Sequence, residues 1–164
     1  MDAEVDDMAT TARTAEAGEA TPRPPLAPQV RSLLARADRE ITAAHASVES
    51  APERFVHAHL GALRAAAAVV SARSRPRPRR APRPVWDLLV EVAPELAAWS
   101  VYFAAGARLR ASLEAGSVPD VPASRADEIL AAAEDFVDEV RILLEGDAPG
   151  FVTDPRRAAA ARAS

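Results

Sequence analysis

The residues of this sequence best suited to chemistry are an arginine and two histidines in one short stretch, Arg54, His57 and His59. Imidazole titrates near neutral pH and can take a proton from a ribose 2′-hydroxyl, while a guanidinium pairs with phosphate through parallel hydrogen bonds. Such a pair would support RNA cleavage without a metal ion. Arg54 and His57 are three residues apart and share a helical face, whereas Arg54 and His59 are five apart and do not.

The alternative interpretation of these histidines is structural, and we weigh it above catalysis. Imidazoles on a helix are commonly half-buried and hydrogen-bonded to a neighbour. A third histidine, His45, stands alone and is expected to face solvent. The sequence therefore leaves Arg54, His57 and His59 as candidates for catalysis with a simpler role available to each histidine.

A second concentration of charge lies between Arg73 and Pro84, where arginines alternate with prolines. Proline keeps such a segment extended, so its guanidinium groups could meet successive phosphates of RNA or DNA. The alternative is a solvated linker that balances residues 114–147, which hold ten acidic residues and two arginines. The candidate polyanion-binding residues are Arg73, Arg75, Arg77, Arg79, Arg80 and Arg83.

Neither a metal site nor a cofactor site is expected. The chain has no cysteine and three histidines. Glu134 and Asp138 lie four residues apart and could share a divalent ion, but no histidine joins them. Four aromatic residues could line a ligand pocket, but their helical spacing favours the core; they are Trp86, Trp99, Tyr102 and Phe103.

Composition predicts an all-α fold. Apolar residues make up 49% of the 164 residues, but 40 residues are alanine and only 4% are aromatic. Alanine, leucine, arginine and glutamate favour helix, and the absence of asparagine leaves few hairpin turns. Apolar residues recur at steps of three and four in four long segments and a short one at 85–92. We predict an antiparallel bundle of four long helices plus one short helix.

Proline and charge divide the chain into segments. Residues 1–28 are acidic and proline-rich and predict a disordered tail. The bundle is predicted over 29–146, interrupted by an Arg/Pro-rich loop at 73–84. Residues 147–164 predict a second tail, in which Phe151 and Val152 are the only anchors.

Turn signals set the predicted helix ends. Ser50 and Glu53 form a capping box before the second helix, and Ser124 begins a similar signature before the last. Gly116 and Gly146 are predicted helix stops. The core face predicted for the second helix consists of Val56, Leu60, Leu63, Ala67 and Val70.

Composition predicts a cytoplasmic protein that does not contact a membrane. The longest uncharged run, 96–107, has 12 residues, fewer than the roughly 20 that cross a bilayer. The acidic start of the chain does not match a basic signal segment. Alanine-rich helix faces allow close approach of helices and predict a homodimer.

Two stretches, Glu53–Ala66 and Ala93–Gly106, resemble an actinobacterial branch of the HEPN (higher eukaryotes and prokaryotes nucleotide-binding) superfamily. The closing helix, residues 124–144, is similar to the terminal helix of HEPN domains, and the likeness covers 29–146. This resemblance implies a helical bundle that often dimerises. Some HEPN proteins are metal-independent ribonucleases, and others are non-catalytic modules that bind nucleotides, RNA or a protein.

The nuclease members carry an arginine and, four to six residues later, a histidine, near the start of the last bundle helix. Here Ser117–Leu144 contains no histidine, and the matching spacing of Arg54 and His59 falls in another helix, with Phe55 where a polar residue is usual. The resemblance therefore implies a branch without the nuclease motif, acting as a binding module for a protein, nucleotide or RNA. The alternative is a divergent ribonuclease using Arg54 with His57 or His59.

Overall fold

The computed structural model describes residues 25–74, 82–117 and 120–145. Within these ranges the chain is helical and has no strand, which confirms the predicted fold class. A 3₁₀ turn, Pro94–Leu96, joins the short helix to the one that follows it. The five α-helices are α1 Pro28–Ala46, α2 Ala51–Arg73, α3 Val85–Val92, α4 Ala97–Glu114 and α5 Ala123–Glu145.

Helix α2 is the centre of the bundle. It packs against all four other helices, most extensively against α1 and α5. The turn between Ala46 and Ala51 is short, so α1 and α2 run in opposite directions. Helix α5 begins beside the start of α2, where Arg54 donates a hydrogen bond to Asp127. A helix enclosed in this way must bury residues on several sides.

The core face predicted for α2 is wrong. Its five residues, Val56, Leu60, Leu63, Ala67 and Val70, are only partly buried. The buried residues are mostly small, because small side chains let neighbouring helices approach closely. They are Phe55, Ala58, His59, Gly61, Ala62, Ala65, Ala66, Ala68 and Val69.

Helices α1 and α2 approach closely at Gly61. A Cβ atom at this position would lie 2.8 Å from Cδ1 of Ile41 and 3.5 Å from the Ala37 carbonyl oxygen. Glycine therefore makes room for the Ile41 side chain, and Ala37 beside it is fully buried. A side chain at residue 61 would require the partly buried Ile41 side chain to move.

Large side chains gather in one aromatic layer between α3, α4 and α5. The ring centroid of Phe103 lies 5.4 Å from those of Trp86 and Phe136, and Trp99 lies 5.4 Å from Phe136. Buried Ser100 donates a hydrogen bond of 2.7 Å to the Trp86 carbonyl. Trp86, Trp99 and Phe103 are buried, which confirms their prediction as core residues, whereas Tyr102 is only partly buried.

Two of the predicted helix ends are confirmed. The Ser50 hydroxyl accepts a hydrogen bond of 3.3 Å from the Glu53 amide at the start of α2. After α4, Gly116 has φ +81°, a left-handed conformation that favours glycine at a helix end.

The prediction that Ser124 caps the start of α5 is wrong. The Pro122 carbonyl accepts from the amides of Arg125 and Ala126, and the helix begins at Ala123. Ser124 therefore lies inside the first turn. The predicted stop at Gly146, both predicted tails apart from residues 25–28, and most of the Arg/Pro-rich loop lie outside the described residues.

Helix α2 is also the one described helix long and apolar enough to cross a membrane by length and composition, with a mean hydropathy of 1.3 over its best window. Arg64 interrupts α2, so this helix does not contain the longest uncharged run of the sequence. Half of that window is buried inside the bundle, so packing against the other helices accounts for its hydropathy. The cytoplasmic location stays a prediction.

The close approach at Gly61 predicts energetic coupling with Ile41. Gly61→Ala places a methyl group against Cδ1 of Ile41, and Ile41→Val removes that atom. We expect Gly61→Ala to destabilise the wild-type chain by about 1 kcal/mol more than it destabilises the Ile41→Val chain. Urea unfolding of the four chains measures this difference, and a coupling below about 0.3 kcal/mol would contradict the geometry.

Candidate functional site

His59 lies in the core of the bundle. Its side chain is fully buried, and its Nε2–H donates a hydrogen bond of 2.8 Å to the Phe103 carbonyl on α4. Its ring stacks on Phe55 and meets Trp86 and Phe103 edge-on, with centroids about 6 Å away. A substrate could reach this imidazole only if the aromatic layer opened.

Gly106 on α4 makes room for the His59 ring. A Cβ atom there would lie 3.1 Å from Cδ2 of His59 and 3.4 Å from Cζ of Phe55. The glycine on α4 and the imidazole on α2 therefore fit together, and His59 joins the two helices through its hydrogen bond. Its Nδ1 atom is buried and has no hydrogen-bond partner in the described chain.

Burial lowers the pKa of His59 from 6.5 to about 4. Loss of water around the ring is the largest cause, and the charge of Arg110 lowers the pKa further. The hydrogen bond to the Phe103 carbonyl acts in the opposite direction and is outweighed. At neutral pH His59 is uncharged, with its proton on Nε2.

Arg54 connects the α1–α2 turn to α5 through hydrogen bonds. Its Nη1 donates to Asp127, its Nε donates to the Ser47 carbonyl at 3.3 Å, and its Nη2 donates to the Val48 carbonyl. Its side chain is 12% exposed. Because three of its donor groups are committed to the fold, Arg54 holds the start of α2 in place.

His57 is the more exposed of the two candidate histidines and is about half-buried. Its Nδ1 lies 2.9 Å from Oε2 of Glu40 on α1, a geometry in which Nδ1–H donates to the carboxylate. The ring also lines a groove of about 400 Å³ between the start of α2 and the end of α4, which we call the His57 groove. The structure therefore does not bring Arg54, His57 and His59 together at one open site.

The charges of the His57 groove are acidic. Glu53 and Glu114 line it beside the apolar side chains of Val56 and Leu113. Arg110 donates to Glu114, one turn away on the same helix. Carboxylates repel phosphate, so Glu53 and Glu114 reduce the attraction of the His57 groove for a nucleotide or an RNA backbone.

The two arginines that flank the predicted polyanion-binding loop are engaged with carboxylates. Arg73 pairs with Glu95 and also donates to the Val92 carbonyl. Arg83 pairs with Glu91 at 2.6 Å. These ion pairs connect the two ends of the loop to α3 and to the 3₁₀ turn that follows it. The other four candidates, Arg75, Arg77, Arg79 and Arg80, lie outside the described residues.

Sequence reasoning missed the links that tie α1 to α5. His45 is exposed, as predicted, and its Nε2 also lies 2.9 Å from Oε1 of Glu134. Arg141 donates to Asp38 in a second link. No sequence signal identifies such partners, because they lie 89 and 103 residues apart. Among the described residues no three histidine or acidic side chains are placed to hold one metal ion.

Helix α4 presents an exposed face of small apolar residues. Val101 is 72% exposed, the most exposed of the large apolar side chains in the described chain. Its neighbours at steps of three and four on the same face are also exposed, and we call this surface the α4 face. It consists of Ala98, Val101, Ala104, Ala105, Arg108 and Ala111.

Comparison with protein families gives one match. A family model described as SAV_6107-like HEPN matches residues 44–141, more than half of the chain, from the end of α1 to the last turns of α5. No curated protein and no solved structure gives a significant match. The matched range includes Arg54, His57 and His59.

The buried histidine predicts acid sensitivity. The unfolded chain binds a proton on His59 near pH 6.5 and the folded chain only near pH 4, so the free energy of unfolding falls as pH falls between these values. We expect protonation of His59 to lower the free energy of unfolding by about 3 kcal/mol across this pH range. Urea unfolding of wild type and His59→Leu at pH 7 and pH 4.5 measures it.

The His59→Leu chain should lose less stability than wild type between these two pH values. His45→Leu is the matched control, since it removes an exposed histidine, and it should retain the wild-type pH dependence. Equal pH dependence of wild type and His59→Leu would show that burial of this imidazole does not oppose its protonation.

Proposed function

Because the chain belongs to the SAV_6107-like HEPN family, we propose that it acts as a non-catalytic helical module that binds a protein partner. The observation that carries the proposal is the separation of the candidate catalytic groups. His59 is fully buried, Arg54 is bonded to Asp127 and two backbone carbonyls, and His57 is bonded to Glu40.

Metal-independent RNA cleavage requires a histidine and a cation that converge on one phosphate. Of the two histidines near Arg54, His57 alone is accessible. The groove that it lines carries the carboxylates of Glu53 and Glu114, which oppose binding of a phosphate diester. These features favour a structural role for Arg54 and His59 and disfavour the ribonuclease alternative.

The α4 face supports a protein partner. Small residues at steps of three and four let another helix approach closely, and Val101 offers an exposed apolar side chain near its centre. Arg108 is the one charged residue of this surface. A partner helix with small apolar residues would match it, and the partner that we propose is a second copy of the chain, whose own α4 face has that composition.

We expect no cleavage of single-stranded RNA by the chain in the presence of a metal chelator. The test uses end-labelled RNA with wild type, His57→Ala and, as a matched control, His45→Ala, which removes another histidine paired with a carboxylate. All three should leave the RNA intact. Cleavage by wild type that is lost in His57→Ala alone, with unchanged thermal unfolding, would establish the ribonuclease instead.

Substitution of Val101 tests the proposed interface. We expect the wild-type chain to sediment as a dimer at micromolar concentration and Val101→Glu to weaken dimerisation at least tenfold, because it places a charge at the centre of the α4 face. Val48→Glu, at another exposed valine, is the matched control and should remain dimeric. A wild-type monomer, or equal dimerisation of both variants, would contradict this interface.

A further inference from the structure

The ends of the described chain meet at a groove of about 490 Å³ between the start of α1 and the end of α5. Its apolar lining comes mainly from Leu26, Leu34, Ala35 and Leu144. Pro25 and Glu145, the first and last described residues of the bundle, line it as well. We call it the terminal groove.

We propose that the terminal groove is the docking site of the chain's own C-terminal segment, with Phe151 and Val152 as the residues that enter it. Residues 146–164 contain no other large apolar side chain. Burial of an aromatic and a branched aliphatic side chain would remove their apolar surface, and that of the leucines beneath, from water.

The tether length favours this segment over the N-terminal one. Phe151 follows Glu145, a lining residue, by six positions, which span up to roughly 20 Å when extended. Met8, the nearest large apolar residue before Pro25, is 17 positions away. Closing the shorter loop costs less conformational entropy and gives a higher effective concentration at the groove.

The intervening sequence suits a reversal of direction. Gly146 directly follows α5, where glycine can adopt the left-handed conformation that turns the chain back along the helix. Gly150 precedes Phe151 and gives a second point at which φ is unrestricted. A chain that turns back at Gly146 passes over Leu144.

Charge at the groove also matches the segment. Two arginines and two acidic residues line the groove, and Arg141 is paired with Asp38. Arg31 donates to the Leu26 carbonyl at 2.6 Å beside the groove. Asp147 and Asp154 lie on either side of Phe151 in the sequence, and one of these carboxylates would pair with Arg31.

Disulfide trapping tests the contact directly, because the chain has no cysteine of its own. The test variant combines Ala35→Cys in the groove with Val152→Cys, and the matched control combines Val152→Cys with Ala46→Cys, at an exposed alanine at the other end of α1. Under mild oxidation of the full chain, we expect the intramolecular disulfide of the test variant to form at least tenfold faster. Equal rates, or disulfides between chains only, would overturn the proposal.

Hydrogen exchange gives an independent measurement without cysteines. Phe151→Ser should raise the exchange rates of amides in the first turns of α1 at least threefold relative to wild type, because the groove loses its cover. Val5→Ser is the matched change in the N-terminal segment and should leave those rates unchanged. An effect of Val5→Ser without one of Phe151→Ser would assign the groove to the other end of the chain and overturn the proposal.

Discussion

The close packing around α2 is the constraint on which the rest of the structure depends. This helix contacts every other helix, and its buried residues are mainly alanine and glycine. Small side chains bury little apolar surface each, so their contribution comes from bringing helices near enough for dispersion contacts along their length. Four of the largest buried side chains, Trp86, Trp99, Phe103 and Phe136, form an aromatic layer beside this close packing.

Polar links complete this packing where apolar surface is scarce. Arg54 joins α2 to α5, His57 joins α2 to Glu40 of α1, and His45 and Arg141 join α1 to α5. Partly exposed ion pairs of this kind stabilise a fold only modestly each. They nevertheless fix the rotation of α2 relative to α1 and α5. Residues that look catalytic in the sequence are thus positioned by the requirements of the bundle.

The sequence predicts the helices correctly, but it predicts neither the buried face of α2 nor the full burial of His59. Both errors have the same cause. Spacing of apolar residues identifies α1 and α5, whose buried faces include Leu34 and Val140. It fails on α2 because a central helix has no single core stripe, and large residues such as Leu60 then mark its margin. The same enclosure buries His59, which no local pattern around Arg54 reveals.

The orientation of α4 is set by its hydrogen bonds to α5. Trp99 donates a hydrogen bond of 2.7 Å to Glu139, and the Tyr102 hydroxyl donates one of 3.2 Å to Glu128, both on α5. The Arg125 guanidinium lies 5.7 Å from the centroid of the Tyr102 ring, and burial raises the pKa of that phenol, which therefore stays a donor.

With residues 99 and 102 turned toward α5, the helical repeat turns Val101 away from that helix. The apolar character of the α4 face is therefore imposed by contacts on its opposite side, which cannot change without disturbing the aromatic layer. A change of Val101 alone leaves those contacts intact. The surface that we assign to a partner can thus vary in affinity and specificity while the fold beneath it stays the same.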